Sequence, residues 1–514
     1  MKESARAVRF WPHLVGILLG FVFGIALFVY LGSRNIDDRT REWVVRELEN
    51  RFDSRVELKS LHVDTAPFMQ VTGEDLALHY RNRTDVPPLI RIERFTFNLG
   101  VLGIIHVPRH INGVYVENMT ITIPPRERQP GAQVVLRENR PLPRVVIDEI
   151  VCNDTDLIIL PNKKGKDPLD FDIHDLVLNS VDANKRFDFH GNLTNAKPKG
   201  EIATKGTFGP WDSDEPGDTR VSGEYHFSDA DLGPLAGIGG TLSSTGQYRG
   251  QLNQLEVEGE TDTPNFSLDP IGRPVPLHTE FSATVDGTSG DTYLHPVRAT
   301  LLHSLIIANG SVTRSSSKPG HIIALQIVAP KARLQDILRL ATKSTQPVMS
   351  GAVNVKAKML LPPGKQKVVD RLNLIGDFAV DDAQFASTGV REKLESLSRH
   401  ALGKPKDEDA GSALTDLSGH FQLADNRASF KNLDFSIPGA QIKLDGAYNL
   451  RSEELNFAGA LRMRAKLSQT VTGKKSVFLK LVDPFFKKDG AGSVVPIRIT
   501  GTRDDPKFAL ALFH

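Results

Sequence analysis

A pair of histidines has the spacing of a helical metal site. His106 and His110 stand four residues apart in the run HVPRH, and two imidazoles at that spacing on a helix can bind one zinc ion. Pro108 lies between them and would break the helix that has to align the two rings. The sequence therefore predicts no metal site here, and we expect no other cofactor.

The remaining candidates for catalysis are equally isolated. Ser315 and Lys318 have the SxxK spacing of penicillin-binding enzymes, but the companion SDN and KTG motifs are missing. The sequence also has no HExxH, no GxSxG and no phosphate-binding loop. The single cysteine, Cys152, excludes an intrachain disulfide and a cysteine-based metal site. We expect a protein that is not an enzyme, although a triad assembled in space would leave no motif.

The clearest pattern belongs to structural elements, in the stretch LDFSIPGAQIKLDGAYNLRSEELNFAGAL from Leu433 to Leu461. Apolar and polar residues alternate there, which is typical of strands with one apolar face. Pro438-Gly439 and residues 449–454 mark the turns of an antiparallel meander. Such a face has to be covered by helices, a second sheet or a ligand. The residues predicted to line it are Phe435, Ile437, Ile442, Leu444, Leu455 and Phe457.

The rest of the chain repeats this pattern. Short strand-like runs follow one another from Val56 onward, with turn signals about every ten residues. Helical patterns are few, and cover residues 38–52, 331–342, 390–402 and 474–488. On the order of 25 strands cannot form one flat sheet, so the sheet has to curl, split or close. We predict a mainly β fold, an elongated and curled antiparallel sheet that forms a taco-like groove, with a few short helices.

An apolar segment near the N-terminus predicts a membrane anchor. Leu14 to Leu31 contains no charged residue, and its 18 residues approach the length that a helix needs to cross about 30 Å of hydrocarbon. No Ala-x-Ala-like cleavage site follows it, which favours a retained helix over a cleaved signal peptide. Gly16, Gly20 and Gly24 form a face on which two such helices could pack closely.

The overall charge argues against nucleic acid as a partner. The chain has 63 Lys and Arg residues against 62 Asp and Glu residues. Lysines cluster only in isolated pairs, which are typical of solvated loops. No field of one sign would therefore draw the protein onto a polyanion.

The C-terminal run GAGSVVPIRITGTRDDPKFALAL resembles the closing signature of the AsmA-like family of bacterial envelope proteins. The front, SRVELKSLHVDTAPFMQVTGEDLAL, is similar to the chorein-like start of bridge-like lipid transfer proteins. On this resemblance the chain divides into an anchor (1–33), a chorein-like start (34–125), central β-groove repeats (126–330) and an AsmA-like C-terminal part (331–514). The signature residues are Pro496, Ile499, Gly501, Thr502, Pro506, Lys507 and Phe508.

The resemblance implies a bacterial inner-membrane protein with its body in the periplasm and acyl chains in an apolar β-groove. Phospholipid would then cover the face that no helix covers, since each CH₂ group removed from water contributes about 0.8 kcal/mol. Two alternatives stay open at this point. The apolar face could pack against a second sheet in an ordinary sandwich. The protein could also be a scaffold for the assembly of outer-membrane proteins, which would bind client strands at its sheet edges.

Overall fold

The structure is a computed structural model, and the predicted anchor at 14–31 and the predicted helix at 474–488 lie outside the residues that it describes. These described residues are 41–42, 45–46, 49, 55–64, 69–79, 85–99, 109–125, 145–161, 168–182, 185–196, 198–210, 216–235, 237–268, 272–315, 318, 320–342, 347, 349–404, 415–466, 492–503 and 505–510.

The described residues are mainly β-strand. In chain order the strands are β1 Val56–Asp64, β2 Met69–Leu78, β3 Ile90–Leu99, β4 Arg109–Ile111, β5 Val114–Ile123, β6 Val145–Ile159, β7 Leu169–Asp182, β8 Phe187–Ala196, β9 Lys199–Phe208, β10 Arg220–Asp231, β11 Ile238–Gly239, β12 Thr241–Gln251, β13 Gln254–Leu268, β14 Val275–Asp286, β15 Asp291–Leu301, β16 Ser304–Arg314, β17 His321–Arg333, β18 Met349–Leu361, β19 Asn373–Phe385, β20 Thr415–Ala424, β21 Arg427–Ile437, β22 Ala440–Asn449, β23 Glu454–Met463, β24 Ser493–Thr502 and β25 Pro506–Leu510.

The strands form one long, open sheet that curls into a half-barrel. Each strand pairs with the next in the sequence, except that the two short strands β4 and β11 lie beside β6 and β13 and are bypassed by β3–β5 and β10–β12. All pairs are antiparallel apart from those of β6 with β4 and β5, which are parallel. The prediction of a curled, mainly antiparallel sheet is confirmed. No second sheet packs face to face against it among the described residues, so the sandwich alternative is not what this part of the chain forms.

Three short α-helices have described ends: α1 Leu334–Ala341, α2 Val368–Arg371 and α3 Thr388–Ala401. Helices α1 and α3 agree with the predictions at 331–342 and 390–402. Residues 41–42, 45–46 and 49 are helical, in agreement with the predicted helix over 38–52. No helix among the described residues is long and apolar enough to cross a membrane.

Buried apolar side chains form two clusters, one at each end of the sheet. The first belongs to the sheet from β1 to β8 and includes Phe95 and Phe97. The second belongs to the region from β17 to β24, where Leu334 and Ile337 of α1 pack against it. Between the two ends the sheet has few fully buried side chains.

Candidate binding groove

Cross-strand pairing aligns apolar residues into a continuous line across the sheet. Residues that are register partners on neighbouring strands have side chains on the same face. The line followed here, called the central row, runs from β8 to β24 with one β-bulge between β14 and β15. It consists of Gly191, Thr204, Tyr225, Gly246, Gly259, Phe281, Val297, Ala308, Ile327, Ala357, Gly376, Phe421, Phe430, Gly446, Phe457 and Ile499.

A second row on the same face runs parallel to the central row, two residues away on each strand except β15, where the β-bulge makes the separation three. Neither row contains a charged residue, and the only polar groups are the hydroxyls of Thr204, Tyr225, Tyr248 and Tyr448. Both rows together form an apolar strip across the described strands. The second row consists of Phe189, Gly206, Gly223, Tyr248, Val257, Ala283, Leu294, Gly310, Leu325, Met359, Leu374, Leu423, Ala428, Tyr448, Leu455 and Gly501.

Glycines on this face show how closely the neighbouring strands approach each other. A Cβ atom at Gly246 would lie 2.4 Å from the carbonyl oxygen of Glu258 on the next strand, and one at Gly376 would lie 2.2 Å from that of Lys356. Neighbouring backbones therefore approach so closely on this face that only glycine fits. Glycines at defined positions are where a sheet can bend. We call this apolar side the inner face.

Helices α1 and α3 cover one side of the inner face and leave the other side open. Leu394 and Leu397 of α3 pack against the C-terminal cluster, and the Ser398 hydroxyl donates a 2.7 Å hydrogen bond to the Pro438 carbonyl at the β21–β22 turn. By contrast, most of the side chains of the second row, such as Leu325 and Leu423, are only half-buried. The open part of the inner face, which follows the central and second rows, is the candidate groove.

The structure places the six predicted lining residues on one face but at two depths. Register pairs join Phe435 to Ile442 and continue across the predicted meander, so the alternation was interpreted correctly. Ile437, Ile442 and Leu444 are buried, with 5%, 2% and 3% of their surface exposed, and Phe435 packs against the same cluster. Leu455 and Phe457 are half-buried and belong to the open rows. Contact of the six with lipid stays a prediction.

No family model, curated protein or solved structure matches the chain. The groove is therefore known only from its own residues.

Aromatic residues that the sequence did not single out form part of this surface. The ring of Phe378 lies 6.1 Å from that of Phe421 and 6.2 Å from that of Phe430, between ring centres. Phe430 in turn lies 5.9 Å from Phe457. These contacts cross five strands, from β19 to β23, and form one aromatic patch in the groove.

The outer face of the sheet is charged. Cross-strand ion pairs join Lys205 to Glu224 at 2.6 Å and Arg249 to Glu256 at 3.1 Å. A depression lies on this face between β8 and β14. It is lined by polar and charged groups, and no cluster of metal-ligating side chains is found among the described residues.

The isolated motifs do not assemble into a reactive site in the described part of the chain. His110 lies in the short strand β4, and His106 lies outside the described residues. The Ser315 hydroxyl accepts a 3.3 Å hydrogen bond from the backbone N–H of Lys318, so the SxxK spacing closes the turn between β16 and β17.

Proposed function

We propose that this protein binds lipid, with acyl chains held along the open part of its inner face. The observation that carries the proposal is the uncharged strip formed by the central and second rows, which is half-buried in the sheet and left uncovered by α1 and α3. An apolar surface of this extent is rarely left to water. A hydrocarbon chain can cover it at any point because the contact is not directional.

The open rows suit acyl chains better than a compact ligand. They continue from strand to strand without a closed pocket, so a chain lying across one strand meets similar apolar neighbours on the next. Each CH₂ group removed from water contributes about 0.8 kcal/mol wherever it lies in such a groove. Lipid could therefore move along the groove without a catalytic step.

The wider proposal is a carrier of phospholipid between the membranes of a bacterial envelope. According to this proposal, the segment 14–31 anchors the chain in the inner membrane and the sheet lies in the periplasm. The resemblance of the C-terminal signature to AsmA-like proteins supports this setting, and the curled sheet is compatible with it. The charge balance of the chain gives no reason to expect nucleic acid as a partner.

A photo-crosslinking experiment with the full chain in its native cells tests the proposal. The photoreactive residue p-benzoylphenylalanine is placed at Leu455 or Phe457 in the open rows, and at Asn456 between them as a control. Because successive side chains of a strand point to opposite faces, the control position samples the outer face at the same depth of the envelope. Mass spectrometry of the irradiated protein then identifies the adducts.

We expect lipid adducts at positions 455 and 457 and none at 456. Equal lipid labelling at all three positions would indicate nonspecific contact with membrane and would count against the groove. Protein adducts at 455 and 457 in place of lipid would instead favour the scaffold for outer-membrane protein assembly.

A further inference from the structure

Two tyrosines in the groove lie flat on glycines of the neighbouring strands. A Cβ atom at Gly246 would lie 2.8 Å from Cε1 of Tyr225, and one at Gly259 would lie 3.1 Å from its hydroxyl oxygen. A Cβ atom at Gly223 would lie 2.7 Å from the hydroxyl oxygen of Tyr248. The Tyr225 ring thus extends from β10 toward β13, and the Tyr248 ring extends from β12 back over β10.

The hydroxyl of Tyr248 is the first member of a hydrogen-bonded chain. Its oxygen lies 2.7 Å from Oγ1 of Thr204, and the Thr204 hydroxyl lies 2.9 Å from the carbonyl oxygen of Glu224. A carbonyl can only accept, so Thr204 donates its single proton to Glu224. Tyr248 must then be the donor toward Thr204.

Tyr225 repeats this arrangement on the next strands. Its hydroxyl oxygen lies 3.1 Å from Oγ of Ser244, and Ser244 donates to the carbonyl oxygen of Glu260 at 2.9 Å. The Tyr225 proton is therefore committed to Ser244 by the same reasoning. The same arrangement thus occurs twice across β9 to β13: a phenol donates to an aliphatic hydroxyl, and that hydroxyl donates to a backbone carbonyl.

Each phenol oxygen is left as a hydrogen-bond acceptor. A hydroxyl has one proton and two lone pairs, and no donor among the described residues bonds to either phenol oxygen. Burial raises the pKa of both phenols above the ordinary value, and the hydrogen bonds to Ser244 and Thr204 lower it by less. Both groups therefore stay protonated and neutral at physiological pH.

The surroundings decide which donor suits these oxygens. No charged residue belongs to the central or second row, so an ionic group at this place would have no counter-ion and would be costly to desolvate. An alcohol or amide group donates a hydrogen bond without carrying a charge.

We propose that Tyr225 and Tyr248 form a subsite for a neutral hydrogen-bond donor, an alcohol or amide group on a lipid that lies in the groove. The inference rests on the proposed lipid binding and adds a preferred position to it. Elsewhere in the groove the rows offer only apolar contact, apart from the hydroxyl of Tyr448. A lipid with such a donor is therefore held between β9 and β13, while a plain hydrocarbon has no preferred place.

A matched pair of probes tests the subsite. Oleyl alcohol has one O–H donor, and oleyl methyl ether has the same chain without it. Each displaces a pyrene-labelled alkane from the full chain, which is kept in solution by an amphipol. A hydrogen bond between neutral groups contributes about two- to tenfold in affinity, and we expect the alcohol to bind three- to tenfold more tightly than the ether within that range.

The double variant Tyr225→Phe/Tyr248→Phe keeps both rings on their glycines and removes both oxygens. We expect it to bind the two probes equally, with the affinity for the ether unchanged. Tyr448→Phe, in the same row on β22, is the matched control and should keep the preference for the alcohol. Thr204→Val gives an independent check, because it frees the Tyr248 proton to donate to the ether oxygen and should raise the affinity for the ether.

Equal binding of the two probes by the unaltered protein would overturn the subsite, as would an undiminished preference in the double variant. Failure of both probes to displace the pyrene-labelled alkane would instead contradict the proposed lipid binding, and with it the subsite.

Discussion

Phe95 and Gly73 are register partners on β3 and β2, and the ring of Phe95 lies directly on Gly73. A Cβ atom at position 73 would lie 2.1 Å from Cζ of that ring. The ring has little freedom to move aside, since only 1% of Phe95 is exposed and Phe97 stacks at 6.4 Å between ring centres. In this pair a large aromatic ring occupies the space above a glycine of the neighbouring strand.

Gly73→Ala should therefore destabilise the N-terminal part of the sheet. Overpacking of a well-packed core costs about 1–3 kcal/mol, and we expect a lower midpoint of thermal unfolding, measured by circular dichroism. Gly113→Ala is the control, because a Cβ atom there would have no neighbour within 4 Å. Equal midpoints for the two variants would mean that the Phe95 ring can move aside at little cost in stability.

The local elements of this fold could be predicted from the sequence because they depend on short-range patterns. Alternation located β21, β22 and β23, and Pro438-Gly439 marked the turn between the first two, where Gly439 has a φ of +84°. The periodicity of 331–342 and 390–402 located α1 and α3. These signals lie within a few residues of each other and need no knowledge of the register.

The composition of the groove could not be predicted in the same way. Phe430 and Leu433 lie three residues apart, which strict alternation assigns to opposite faces. A β-bulge between them, with Asn432 at a φ of +51°, returns both to the inner face. Nor does the pattern predict that Leu444 belongs to the buried cluster against which α3 packs, because that packing joins segments distant in the sequence.

Charge placed at the covered and the open parts of the inner face should have different effects. Leu444→Lys buries an unpaired charge in the C-terminal cluster and should cost about 3 kcal/mol or more. Phe457→Lys should cost less, because a lysine at a half-buried position can extend its ammonium group to water. Thermal unfolding measures the loss of stability in both variants. The amount of lipid extracted per chain measures the loss of lipid binding in Phe457→Lys.

The variant at position 457 should stay folded and carry less lipid. Asn456→Lys adds the same charge to the outer face and should keep both stability and lipid. A Phe457→Lys protein with its full lipid load would show that the acyl chains lie elsewhere.

Asp336 fixes α1 to the sheet, and its removal should loosen that helix. Its carboxylate is buried, accepts a 2.9 Å hydrogen bond from the Ser304 hydroxyl and a 3.2 Å one from the backbone N–H of His303. Asp336→Ala leaves buried donors unpaired, at a cost of about 1–3 kcal/mol. We expect faster hydrogen exchange of the α1 amides, measured by mass spectrometry.

Asp336→Asn retains a carbonyl oxygen as an acceptor and should lose less protection than Asp336→Ala. Arg339→Ala, at an exposed position of the same helix, should leave exchange unchanged. Equal protection of α1 in all three variants would mean that apolar packing alone holds the helix.

Cys152 should report unfolding of the N-terminal cluster. It is the only cysteine in the chain and is buried in that cluster, and burial raises the pKa of its thiol to about 12. The thiolate is the reactive form, so at pH 8 very little of the folded protein carries a reactive thiol. We expect iodoacetamide to label the native protein at least about a hundredfold more slowly than protein unfolded in guanidinium.

The pH dependence of this labelling separates the two states. A thiol with a pKa of about 12 gains tenfold in thiolate for each unit from pH 8 to pH 10. In the unfolded chain the gain ends near the ordinary thiol pKa of about 8.5. Native labelling that levels off at pH 9 would therefore mean that the reagent reaches Cys152 through an opened state in which the thiol has its ordinary pKa.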